Sequence, residues 1–230
     1  MPLDRLPAGG GGFRPALSPI PPALREQVRQ LNRAYLELLR ADEEGITAGF
    51  ASPPGLPALV VEMLTTLPES ALGQIAECPV TLYNLRFEDA AFWAGGGTGL
   101  VADVTESYGK VGERSFVGTA LFFAWHVAQS SELAARLLLA MPSATHVAFR
   151  DLPLAQLHRY AAVCPWLLQP RWANHACFWP DLLRTAAQGD QAALDAALLL
   201  GVQLAFTEVE PAAVPAKHAG AATPRHRRRR

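Results

Sequence analysis

The chain has 230 residues, half of them hydrophobic and 18% charged, and a formal net charge of −1. This composition is typical of a globular protein, and it excludes an overall basic field that would by itself predict nucleic-acid binding. Three cysteines are too few for a disulfide framework and indicate a reducing, cytoplasmic compartment. No apolar run reaches the roughly 18 residues of a membrane helix, so we expect no membrane contact.

Proline and glycine mark the ends and the middle of the chain. Residues 1–21 are interpreted as a disordered lead-in, 94–116 as a Gly-rich connector and 208–230 as a disordered basic tail. Two segments remain, 22–93 and 117–207, and both have helical patterns. The sequence therefore predicts an all-α fold made of two tandem helical units.

The first segment opens with a long helix whose apolar residues have heptad spacing. These seam residues are Leu24, Val28, Leu31, Tyr35 and Leu38. Short helices are predicted over 56–67 and 68–78, and Pro79 ends the second of them. An irregular or extended stretch then leads to a short helix at 88–93.

The second segment repeats this order. A long helix is predicted over 116–141, followed by a break and a helix over 152–164. An irregular stretch, an aromatic pair at 178–179 and two final helices complete the segment, and Asp190 is a fitting N-cap for the last one.

Two stretches, 67–87 and 152–172, align without a gap. The alignment pairs Leu67 with Leu152 and Arg86 with Arg171. The Cys-Pro pairs at 78–79 and 164–165 miss each other by one residue. Because five features recur in the same order, we expect an internal duplication packed as a pseudo-dimer.

In that pseudo-dimer the two long first helices are expected to pair. The predicted interface joins three seam residues of the first helix to three residues on one face of the second. These residues are Leu31, Tyr35 and Leu38, facing Leu121, Trp125 and Ala128.

No motif in the sequence predicts catalysis, a cofactor or a metal site. The glycines of 95–99 lack the Lys-Ser/Thr that a phosphate-binding loop needs, and they are interpreted as a connector. Cys164, His175 and Cys177 lack the regular spacing of a zinc site, and Cys78 has no neighbouring histidine to activate it. We therefore expect a protein that is not an enzyme.

Two arginine clusters are candidate contacts to DNA phosphates. One is an i, i+4 row on the polar face of the first helix, and the other lies in the tail. Contacts of this kind are sequence-blind and salt-sensitive, and solvated surface arginines are the alternative. The candidates are Arg25, Arg29, Arg33, Arg225, Arg227 and Arg228.

Residues 24–93 resemble FlhD, a subunit of the flagellar master transcription activator. Matches to the family pattern lie in the first helix, in the Leu-Pro helix and its Leu-Ala-Glu-like end, and in an Arg-Phe pair followed by acids. They are Asn32, Tyr35, Leu36, Phe50, Leu64, Leu67, Pro68, Ile75, Ala76, Glu77, Arg86, Phe87, Glu88 and Asp89. The second segment resembles the family only through the internal repeat.

The resemblance implies an all-helical, dimeric regulator that assembles with a zinc-binding partner, FlhC, at promoter DNA, with flagellar or related genes as targets. The alternative is a non-enzymatic adaptor or accessory protein of a bacterial secretion or flagellar system. Three features depart from the family: members are about half as long, their subunit-linking cysteine falls on Tyr83, and an arginine after the matching Phe is Ala51.

Overall fold

The computed structural model describes residues 20–41, 55–95 and 111–209. Within these ranges the fold is all-α, as predicted, with a single two-stranded β-ladder. The first unit contains α1 (Pro22–Ala41), α2 (Ala58–Thr66), α3 (Glu69–Ala76), β1 (Tyr83–Asn84) and α4 (Ala90–Ala94). The second contains α5 (Val111–Ser130), α6 (Glu132–Leu139), α7 (Ser143–Arg150), α8 (Leu154–Val163), a 3-10 turn (Pro165–Leu167), β2 (Gln169–Pro170), α9 (Phe178–Gln188) and α10 (Gln191–Val209).

The structure departs from the sequence-based expectation in three places, and the largest departure is α7, a helix that occupies the break predicted after residue 141. The long helix predicted over 116–141 is two helices, because the backbone is extended at Ser131, whose Oγ accepts a hydrogen bond from the Ala134 amide at 3.2 Å. A serine cap of this kind starts a new helix. In addition, α5 begins at Val111, inside the segment assigned to the connector. Residues 1–19 of the lead-in, most of the connector and the tail from residue 210 lie outside the described residues.

One hydrophobic core joins the two segments. α1 packs on α2, α3 and α5, while α5 packs on α6, α7 and α8. The last part of each segment crosses to the other one, since α4 packs on α7 and α9 packs on α2 and α3. The segments therefore share their core, and neither is a separate body. Among the helices described, none has both the length and the apolarity that a bilayer crossing requires.

The stretches that match in sequence also match in local geometry. Pro68 and Pro153 are extended residues that precede α3 and α8. Their carbonyls accept hydrogen bonds from the amides three and four residues later, at 3.0 and 3.2 Å in α3 and at 2.9 and 3.2 Å in α8. Pro57 and Pro142 precede α2 and α7 in the same way. A proline at this place leaves no amide unpaired and fixes the start of the helix.

The β-ladder is the point where the two matching stretches meet. Its strands are antiparallel, and its register pairs Tyr83 with Pro170 and Asn84 with Gln169. Counted from the two Cys-Pro pairs, residues 83 and 84 correspond to 169 and 170. Each strand position is therefore paired with the counterpart of its neighbour, which is the register that a two-fold axis produces.

Candidate partner-binding surface

The first helices of the two segments pair with each other, as expected. They run antiparallel, and their contact is centred on a cluster of three aromatic rings. Tyr35 of α1 lies 5.6 Å from Phe116 of α5 and 5.5 Å from Tyr83 of β1, measured between ring centroids. A Cβ added at Gly112 of α5 would lie 3.4 Å from Leu38 Cδ1. Leu31, Tyr35 and Leu38 therefore face α5.

The predicted α5 half of this interface is wrong. Leu121, Trp125 and Ala128 continue a stripe that begins at Gly118, where an added Cβ would meet Ala161 of α8 at 3.5 Å. At the other end of the stripe, the Ala128 carbonyl is hydrogen-bonded by His146 of α7. This face of α5 is turned toward α7 and α8. The face toward α1 carries Gly112, Ser115, Phe116, Thr119, Phe122, Phe123 and His126.

Two adjoining grooves lie along the seam between α1 and α5. The larger has a volume of about 520 Å³ and lies between Gln27 and Gln30 on one side and Phe122 and His126 on the other. The smaller, of about 410 Å³, lies beside Leu38 and Gly112. Their walls are mostly small, uncharged or apolar side chains. Such a surface suits protein contact better than phosphate contact.

The arginine row on α1 is occupied by carboxylates. Arg29 bonds Glu26 through its Nε at 2.8 Å, and this contact and a bond from Gln30 lower the pKa of Glu26 to about 2. Arg33 bonds Glu37 at 2.6 Å and also pairs with Glu69 of α3. The row therefore ties α1 to α3 and presents little net positive charge.

The remaining candidate phosphate contacts are Arg25 of α1 and three arginines of the tail. Arg25 is exposed on α1 and has no carboxylate partner among the described residues. Arg225, Arg227 and Arg228 lie outside the described residues, so their role remains a prediction.

A buried arginine, which the sequence did not single out as functional, fastens the two units together. The Arg171 side chain is 1% exposed and pairs with Glu208 of α10, whose Oε2 lies 2.9 Å from the arginine Nε. Its Nη1 donates to the Leu138 carbonyl at 3.0 Å and reaches the Thr81 carbonyl at 3.4 Å. A buried charge is tolerated only with this degree of pairing.

Arg86, which the gap-free alignment pairs with Arg171, is in a different setting. The Arg86 side chain is 36% exposed, and its Cζ lies 5.3 Å from the ring centroid of Trp166. Phe92 lies 5.6 Å from the same ring, and Trp166 is 38% exposed. Arg86, Phe92 and Trp166 form a surface cluster, which we call the open corner. These three residues come from both segments, so no sequence pattern places them together. Their arginine and aromatic side chains are the only sequence signal of an interaction surface.

In the described part of the chain, the cysteines and histidines form no group that could hold a metal ion. Burial raises the pKa of Cys78 and Cys164 to about 11, which keeps both thiols neutral and unreactive. Cys177 is exposed. His175 accepts a hydrogen bond from the Phe178 amide at 3.1 Å, so it caps α9.

Comparisons with protein-family models, with curated proteins and with solved structures gave no match.

Proposed function

We propose that this chain is a tandem FlhD-like regulator, in which two diverged units take the place of the two subunits of a dimer, and that it acts by assembling with an FlhC-like partner at promoter DNA. The observation that carries the proposal is the register of the β-ladder. Position 83, where the family has its subunit-linking cysteine, lies on the ladder that joins the two units. A tyrosine there cannot form the cross-link, and a covalent connector within one chain makes it unnecessary.

One residue that carries the resemblance, Asn32, has a clear role in the fold. Asn32 is fully buried, and its amide nitrogen donates to the carbonyls of Cys78 and Val80 at 3.0 and 2.9 Å. Its carbonyl oxygen accepts from the Leu82 amide at 2.9 Å. One asparagine thus fixes the path of the chain from α3 into β1. Buried polar networks that are fully paired specify one arrangement of the backbone.

A second candidate function is an adaptor that assembles with proteins and does not touch DNA. It is favoured by the carboxylate pairing of Arg29 and Arg33, which removes most of the basic row that would bind phosphates. The net charge of −1 points the same way.

Co-purification and gel-shift experiments test and separate these two functions. The full chain is mixed with an FlhC-type subunit, and complex formation is followed by size-exclusion chromatography. The complex is then added to promoter DNA at low salt. A regulator forms the complex and shifts the DNA only together with the subunit, whereas an adaptor shifts nothing. A chain that fails to bind the subunit contradicts the FlhD-like assembly.

A further inference from the structure

The open corner has a counterpart in the second unit. Phe92 and Phe178 are 86 residues apart, and each amide bonds the side chain three residues before it, Asp89 Oδ1 at 3.0 Å and His175 Nδ1 at 3.1 Å. Arg86 and Trp172, also 86 residues apart, both have a left-handed backbone, with φ of 54° and 55°. Counted from the Cys-Pro pairs, Phe92 and Arg86 therefore occupy the places of Phe178 and Trp172, and Arg171 lies one residue before the counterpart of Arg86. We call Trp172 and Phe178 the covered corner.

A helix of the same chain covers the second of these corners. A Cβ at Gly201 of α10 would lie 3.0 Å from Phe178 Cε2 and 3.5 Å from Trp172 Cζ3, so the α10 backbone rests directly on both rings. Phe178 is fully buried as a result, while Phe92 remains partly exposed. Phe92 instead meets the Tyr160 ring of α8, with 5.5 Å between ring centroids, and it stays partly exposed beside that ring.

The contact face of α10 has a simple chemical pattern. Ala197, Gly201 and Ala205 recur every four residues and are buried. Glu208 follows three residues later and supplies the carboxylate that pairs with Arg171. Small side chains on successive turns allow the close approach to the aromatic rings, and the acid fixes the end of the helix.

We propose that the open corner is the docking site for a helix of a partner protein that has the chemistry of α10, with small residues against Phe92 and a carboxylate that pairs with Arg86. Arg86 is available for this pairing, since its carboxylate neighbour, Asp89, lies 3.4 Å away in a surface pair with both side chains more than one third exposed. Tryptophan and arginine are also the side chains that contribute most to interfaces.

A second copy of this chain does not supply the helix. The small-residue face of its own α10 is already buried against its own covered corner, and Glu208 is already paired. We assign the site to a different protein. This inference rests on the two-fold relation proposed above, but not on DNA binding or on an FlhC-like partner.

A peptide with the α10 sequence, residues 190–209, serves as the probe. It is labelled with a fluorophore, and its anisotropy is followed while full-length protein is added. We expect saturable binding that weakens at least about tenfold in Trp166→Ala and in Arg86→Glu. Arg40→Glu is the matched control, because Arg40 is equally exposed and lies on α1 in a surface pair with Glu69. This control should bind the peptide as the unchanged protein does.

A charge exchange makes the test independent of folding defects. A peptide with Glu208→Lys should bind the unchanged protein poorly and regain affinity for Arg86→Glu. A peptide with Gly201→Leu should fail on every variant. The absence of peptide binding would overturn the proposal. Binding that survives both Trp166→Ala and Arg86→Glu would also overturn it, because the peptide would then be displacing the chain's own α10. A negative gel-shift with the FlhC-type subunit leaves these outcomes unchanged, so the two proposals fail separately.

Discussion

Residues 78–93 and 164–179 follow the same path but end differently. Both begin with Cys-Pro, pass through one strand of the ladder and turn at a left-handed residue. Each ends on a buried tryptophan whose indole nitrogen donates to a backbone carbonyl. The first path then emerges at the open corner, whereas the second is sealed by α10. The same local structure can therefore close the fold or present a surface, and a helix outside the two matching stretches decides which.

The two arginines of these paths show what the covering helix changes. Arg171 is buried and pairs with Glu208, while more than a third of the Arg86 side chain is exposed. We predict that Arg171→Ala lowers the free energy of unfolding by about 3–5 kcal/mol, because it leaves Glu208 and two carbonyls without their donor. Arg86→Ala should cost no more than about 1 kcal/mol. Urea unfolding followed by circular dichroism measures both.

This first prediction has an internal control. Arg171→Met keeps much of the side-chain volume, so the part of the loss that it recovers reports packing, and the remainder reports the charge pair. If Arg86→Ala and Arg171→Ala lower the free energy of unfolding equally, the cover that α10 provides does not make the covered corner more stable than the open corner.

The sequence predicted the helices better than their partners. Heptad spacing located α1 correctly, but α5 is packed against α1, α6, α7 and α8, so apolar residues surround it and no single face stands out. The choice of Leu121, Trp125 and Ala128 failed for this reason. The carboxylates that occupy the α1 arginines include Glu69, which is remote in sequence and comes close only when α3 packs on α1.

The open corner was equally out of reach of sequence patterns. Phe92 ends the first segment and Trp166 follows the second Cys-Pro pair, and only the crossing of the segments brings their rings together. The two matching stretches were readable in the sequence, because prolines fix local backbone geometry wherever they lie. Their origin by duplication stays a prediction.

The two buried thiols, one in each unit, make the stability of the protein depend on pH. Burial raises the pKa of Cys78 and Cys164 to about 11, whereas an unfolded thiol ionises near about 8.5. Their contribution to stability is therefore complete below pH of about 8.5 and is lost as pH rises toward 11. We expect a loss on the order of 1–2 kcal/mol per thiol at pH of about 10. Urea unfolding at neutral and alkaline pH measures this loss.

Thiol labelling at neutral pH tells whether the two units open together. Exposed Cys177 should react at once with an aromatic disulfide reagent, and Cys78 and Cys164 only on unfolding. Equal rates for the two buried thiols indicate one cooperative body. Faster labelling of Cys78 would show that the first unit, whose described residues include no helix equivalent to α10, opens alone.

The two tryptophans that end the paths should differ modestly. The Trp179 indole donates to the Arg171 carbonyl at 2.8 Å in a buried site, and the Trp93 indole donates to the Arg86 carbonyl at 3.0 Å in a partly buried one. Phenylalanine removes the donor in both cases. We predict a loss of about 1–3 kcal/mol for Trp179→Phe and a smaller one for Trp93→Phe, because water can reach the second carbonyl. Thermal unfolding of the pair measures the difference, and a larger loss for Trp93→Phe contradicts the assignment of the open corner.

The smallest expected change in the free energy of unfolding comes from Gly→Ala substitutions at two helical glycines, and its sign should differ between them. In an open helix position, Gly→Ala stabilises by about 0.5–1 kcal/mol, since alanine restricts the unfolded chain more. Gly73 of α3 is such a position, because an added Cβ would meet only Arg33 Nη1 at 3.5 Å, the end of a flexible side chain.

At Gly201 the added Cβ would lie 3.0 Å from Phe178 Cε2, and that ring is held between Trp172 and Trp179. Gly201→Ala should therefore destabilise by about 1 kcal/mol, because the overpacking outweighs the gain in helix propensity. We expect the urea midpoint to rise for Gly73→Ala and to fall for Gly201→Ala. This result would support close packing of α10 on the covered corner. If both variants stabilise the protein, α10 has room to move, and the contrast between the sealed and the open corner loses its structural cause.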